Sequence, residues 1–231
     1  MSALLLLAAI LGSPALAAAG RIHGLVKAEP RVEPKAAGGG AYADRSLAAA
    51  TLFDYKHLKN VVVYAESVEE GPAPAGAAPP AGGAAEISVA KGRYGLELRP
   101  GFAVVRAGGV LRWRNATAAP VHVFAGGEGE LGATLGAGES ADVRVAAAAG
   151  SSFRLFCLEE AAAGGMLLVT GPHFARAGPD GRYALELPAG RYKITAWHYR
   201  LPALTLDVDV EAGADRTLDL NLTLKRLPEV P

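Results

Sequence analysis

Leu204-Thr205-Leu206-Asp207-Val208-Asp209-Val210, then Glu211-Ala212-Gly213-Ala214-Asp215, then Leu218-Asp219-Leu220-Asn221-Leu222-Thr223-Leu224 decide the fold class. Apolar and polar residues alternate with a period of two on either side of a glycine-bearing turn, the pattern of two half-buried strands. Just upstream, Tyr183, Leu185 and Leu187 alternate with Ala184 and Glu186, and Tyr192, Ile194 and Ala196 with Lys193 and Thr195. Pro188-Ala189-Gly190 joins these two as a short hairpin loop. No segment sustains a period of 3.6 between caps at both ends, so the expected fold is all-β.

Working toward the N-terminus, a second cluster of strand signals covers Tyr94 to Leu98, Phe102 to Arg106, Val110 to Asn115, Val121 to Phe124, Ala141 to Ala146, Ser152 to Cys157 and Met166 to Thr170. Glycine-bearing turns separate most of these, at the spacing of a sandwich or barrel. Arg21 to Lys27 and Asn60 to Glu66 read as two more strands. The Gly, Pro and Ala tract of residues 69–85 reads as a linker, with a similar stretch at Glu29 to Gly40. A short helix is expected over Ser46 to Tyr55.

Residues 1–19 carry an apolar run from Ala3 to Leu11, a Gly12-Ser13-Pro14 break and small residues up to the Ala15-Leu16-Ala17 and Ala17-Ala18-Ala19 sites. This is the build of a cleaved export signal, and it points to a periplasmic or secreted protein. No later apolar run reaches bilayer length, so no transmembrane segment is expected in the mature chain. The 23 basic and 23 acidic residues give no electrostatic footprint for nucleic acid. Cys157 is the sole cysteine, so no internal disulfide can form and the apolar core must hold the fold. No nucleophile elbow, zinc-protease, P-loop or dinucleotide motif occurs, and no enzymatic activity is expected.

Residues 86–169 resemble the cupredoxin family, the sandwich of plastocyanin and azurin. The resemblance rests on Arg99-Pro100-Gly101-Phe102-Ala103-Val104-Val105, Gly108-Gly109-Val110-Leu111-Arg112-Trp113-Arg114-Asn115, His122-Val123-Phe124, Gly138-Glu139-Ser140, Phe153-Arg154-Leu155-Phe156-Cys157 and Met166. It implies a Greek-key unit with a mononuclear copper site at His122, Cys157 and Met166, able to bind metal or transfer electrons. A thiolate, an imidazole and a weak axial thioether suit copper. The second imidazole that the family places between the cysteine and the methionine is absent, because Leu158-Glu159-Glu160-Ala161-Ala162-Ala163-Gly164-Gly165 holds no histidine. Glu160 stands where a plastocyanin-like loop carries it, and a carboxylate is a hard ligand for copper(I). Copper is thus the implied cofactor at an incomplete site. Two readings of Cys157 stand: a ligand with His122, Met166 and Glu160 in a modified centre, or a small buried hydrophobe with Met166 as core filling.

Residues 170–226 resemble the carboxypeptidase regulatory-like domain, a transthyretin-like sandwich, through Leu187-Pro188-Ala189-Gly190-Arg191-Tyr192-Lys193-Ile194-Thr195-Ala196. The strands in residues 20–68 match that family's opening pair, which implies one discontinuous sandwich with the cupredoxin-like unit inserted and residues 227–231 as a tail. Pro172-His173-Phe174-Ala175 and Tyr192 to His198 also resemble exported bacterial proteins of the methylamine-utilisation type. His173 and His198 are further candidate imidazoles, and Asp207, Asp209 and Asp219 a candidate site for a hard cation. Asn115-Ala116-Thr117 and Asn221-Leu222-Thr223 fit the glycosylation pattern but read as structural. Two functions therefore compete: a metal-binding or electron-passing protein with a redox partner, or a non-catalytic binding or scaffold module whose copper site is lost.

Overall fold

The computed structural model describes residues 19–28, 58–68, 84–126 and 131–222. The expected export signal, the helix over residues 46–55 and nearly all of the two Gly/Pro/Ala tracts lie outside these. Every regular element among the described residues is a strand: β1 (Gly20–Lys27), β2 (Val62–Ser67), β3 (Ala85–Lys91), β4 (Leu96–Arg99), β5 (Phe102–Arg106), β6 (Val110–Asn115), β7 (Val121–Gly126), β8 (Ala133–Leu135), β9 (Ser140–Arg144), β10 (Ser152–Cys157), β11 (Glu160–Thr170), β12 (His173–Arg176), β13 (Arg182–Leu187), β14 (Gly190–His198), β15 (Leu201–Val210), β16 (Asp215–Thr217) and β17 (Leu220–Asn221). No helix among them is long and apolar enough to cross a membrane.

The strands form four sheets. The order β5-β11-β10-β7-β8 makes one and β4-β3-β6-β9 another, and their inward side chains share a core around Trp113, Leu111, Ile87, Leu155 and Leu167. The order β12-β2-β14-β15 faces β13-β1-β16, with β17 also on β1, around Ile22, Val63, Leu187, Ile194 and Leu220. Strand β2 pairs antiparallel with both β12 and β14, and β1 with β13, so strands from either side of the central unit complete the same sheets.

The end of the chain departs from the single strand expected over Leu218 to Leu224. Both β16 and β17 lie parallel to β1 in one continuous register, but the ladder is interrupted between them. There the Asp219 side chain accepts a hydrogen bond from the Leu25 backbone N–H at 2.9 Å, standing in for a ladder carbonyl. Gly24 lets the chains approach, since a Cβ there would lie 2.1 Å from the Leu218 carbonyl oxygen. Asp219 is thus committed to the sheet, while Asp209 faces Arg191 and Asp207 faces Lys193 across the β14–β15 ladder.

Three strands carry runs of buried residues in place of alternation, and they locate the contact between the sandwiches. On β5, Ala103 and Val105 enter the first core while Phe102 and Val104 turn outward; on β2, Val63 and Ala65 enter the second core while Val62 and Tyr64 turn outward. The outward residues meet with Leu168 of β11 in a separate buried cluster, joined by Met166, Phe174 and Trp197. A strand covered on both faces has no solvent side, which is why its sequence does not alternate.

Candidate functional site

The end of the first sandwich that carries His122 and Cys157 is fixed by two buried polar groups of β6. The Trp113 indole Nε1 donates to the Leu131 carbonyl at 2.9 Å. Asn115, fully buried, donates from its amide nitrogen to the carbonyls of Ala119 (2.7 Å) and Gly136 (2.8 Å), and its oxygen accepts from the Thr117 N–H (2.9 Å) and hydroxyl (2.7 Å). These bonds shape the turn that delivers the chain to His122. They also give the Asn115-Ala116-Thr117 triplet a structural role, because no solvent-facing amide is left to modify.

Along β7, Val121, Val123 and Ala125 enter the core and the residues between them point out. Cys157 is registered against Val123, so its side chain lies on the core face, 2 % exposed, while His122 belongs to the other face and stays half-exposed. What joins them is Glu159. Its carboxylate accepts from the His122 backbone N–H (2.9 and 3.0 Å), contacts the ring Nδ1 of His122 at 2.5 Å, and accepts from the Cys157 thiol at 3.2 Å. Burial pushes the Glu159 carboxyl up, but the hydrogen bonds from His122 and Cys157 outweigh it and hold the group at about 2. Burial pushes the Cys157 thiol up, and the adjoining carboxylate adds to that, so the sulfur remains a protonated donor.

The other expected ligands stand elsewhere. Leu158 to Gly165, read from sequence as a ligand loop, is mostly strand: Leu158 and Glu159 make the turn and β11 begins at Glu160, with a register shift opposite Phe156 and Cys157. Glu160 pairs with Cys157 through the backbone, but its side chain accepts from the Ala162 N–H at 3.3 Å and lies over Gly95. Met166 is registered between Arg154 and Phe102 and packs in the cluster between the sandwiches, whereas Cys157 belongs to the core of the first. His198 is buried, and its Nδ1 accepts from the Arg200 N–H at 3.2 Å; His173 sits edge-on to Tyr192. Burial lowers the pKa of both.

Of the four residues proposed as metal ligands, the structure brings His122 and Cys157 to one carboxylate, and that carboxylate is Glu159. The sequence does not single it out, because a two-residue turn there reads the same as a longer loop. Among the described residues no group of three or more His, Cys, Asp or Glu side chains is placed to hold a metal ion. The donor set as placed does not fit copper: the Cys157 thiol and the His122 ring are both engaged by the Glu159 carboxylate, no second imidazole joins them among the described residues, and the Met166 thioether packs in a different cluster.

No family model and no curated protein matches the chain. Solved structures that match part of it are cupredoxins. A purple cupredoxin from Nitrosopumilus maritimus is 14% identical, covering 37% of this chain and 99% of its own at a TM-score of 0.33. An amicyanin variant in its Cu(I) form is 23% identical, covering 46% of this chain and 97% of its own at a TM-score of 0.30. A second amicyanin variant, also reduced, is 21% identical over the same shares at a TM-score of 0.30.

Proposed function

We propose that this chain is an exported, non-catalytic binding or scaffold module, whose cupredoxin-like sandwich holds a carboxylate clamp where a copper centre would stand. The observation that carries the reading is Glu159, which takes hydrogen bonds from the His122 backbone and the Cys157 thiol and contacts the His122 ring, the two side chains a metal would need. Copper would have to displace that carboxylate and deprotonate a thiol whose surroundings favour the neutral form. Export is supported by the apolar run and small-residue sites in residues 1–19. The Leu187 to Ala196 motif supports a carboxypeptidase regulatory-like second sandwich, which would be discontinuous, built from residues 20–68 and 170–226.

The test is to add copper(II) to the reduced protein and record the visible spectrum. The proposal expects no intense thiolate-to-copper band. A band of that kind, abolished by Cys157→Ser, would overturn it in favour of a modified copper site and electron transfer.

A further inference from the structure

On the outer face of the five-stranded sheet, away from the Cys157 side chain, an open cleft of about 570 Å³ runs between the two sandwiches. Phe102, Arg154, Phe156 and Met166 line it from one sandwich, and Arg176 and Tyr199 from the other. Its volume is within the range of roughly 300–1,000 Å³ typical of small-molecule sites, as is a mostly apolar wall with few polar groups. No aspartate or glutamate is among the described residues lining it. The ion pairs among the described residues leave both arginines without a carboxylate.

The two cations are differently held. The Arg176 guanidinium lies 5.1 Å from the centroid of the Phe102 ring, which itself stacks on Trp197 at 5.8 Å, so Arg176 is positioned by packing across the interface. Burial lowers its pKa, the response of a cation with water withdrawn and no anion supplied. Arg154 is more open, on the outward side of β10 beside Phe156. Two planar forks of donors in one cleft that also carries aromatic and thioether surface suit one kind of ligand: a planar anion with an apolar body. An inorganic anion would leave the rings unused, and a neutral aromatic would leave both charges unpaired.

We infer that the cleft binds a small aromatic carboxylate, its carboxylate held by Arg154 and Arg176 and its ring packed on Phe156, Met166 and Tyr199. This deepens the reading of the chain as a binding module and gives that module a ligand class. The readout is independent of copper, so failure here and failure of the clamp reading are distinguishable.

The experiment is a fluorine NMR titration of (4-fluorophenyl)acetate into the full chain, with (4-fluorophenyl)acetamide as the uncharged counterpart and inorganic phosphate as competitor. The expected result is saturable binding of the carboxylate, at least about tenfold weaker binding of the amide, and little displacement by phosphate. Arg154→Gln, a change at an exposed side chain, weakens binding about tenfold with an unchanged melting temperature. Arg176→Lys keeps the charge over Phe102 and loses the fork, so it weakens carboxylate binding while the interface stays intact. No saturable binding, equal affinity for acid and amide, effective competition by phosphate, or wild-type affinity in Arg154→Gln would each overturn the inference.

Discussion

Replacing Glu159 by glutamine removes the charge of the clamp and keeps its shape. The carboxylate serves the His122 N–H, the His122 ring and the Cys157 thiol with two oxygens, whereas an amide offers one acceptor, so at least one of these groups loses its partner. The native environment lowers the carboxyl from 4.5 to about 2. At roughly 1.4 kcal/mol per unit, that difference sets a ceiling of about 3 kcal/mol on its contribution to stability. The side chain is still 29% exposed, and water screens part of the interaction, so the expected loss in Glu159→Gln at neutral pH is about 1–2 kcal/mol. The sign follows from a folded-state value below the unfolded one. The contribution is complete above pH 4.5 and disappears as pH falls toward 2. Urea unfolding of both proteins at a series of pH values should therefore show a gap that is widest near neutrality and closes in acid. A gap that stays constant across that range would refute the clamp as an ionic device.

Asn115→Ala removes the buried amide that ties together the carbonyls of Ala119, Leu135 and Gly136 and the Thr117 N–H, and should cost about 2–3 kcal/mol in denaturant unfolding. A cost below 1 kcal/mol, on the same rough scale, would show that water replaces the amide. Phe102→Ala opens a cavity between the sandwiches where the ring, 5% exposed, meets Trp197 and Arg176. It should cost about 3–5 kcal/mol and raise the tryptophan fluorescence response to quencher, and retained stability would mean that the two sandwiches do not support one another.

Much of the fold was legible because alternation is a local property. Val110–Asn115, Ser152–Cys157 and Arg182–Leu187 each write their buried face into a period of two. Legibility failed where a strand was short or weakly apolar, as in Ala85–Lys91, placed at the edge of a linker, and Ala133–Leu135, which has three residues. It failed differently for Leu158 to Gly165. Ala and Gly carry no face preference, so a hairpin and an open loop read alike until register is known. The site was half legible for the same reason. His122 and Cys157 stand out by residue type, but whether Glu159 or Glu160 reaches them depends on where the turn begins, and Met166 passes to the opposite side of the sheet from the core once β11 is extended. The cleft depends on Arg154 and Arg176 lining it from strands of different sandwiches, which no spacing in one segment encodes. The continuous apolar runs of Phe102–Val105 and Val61–Ala65 were the available sign that these strands are covered on both sides.

The sulfur of Cys157 reports on the account most directly. Ultraviolet thiolate absorbance followed against pH, with Cys157→Ser as the blank for tyrosine, should give a midpoint above the free-cysteine value of about 8.5. That midpoint should fall when Glu159 is changed to glutamine. A thiolate already formed below neutral pH would contradict the account, since the sulfur would then be poised to take a metal.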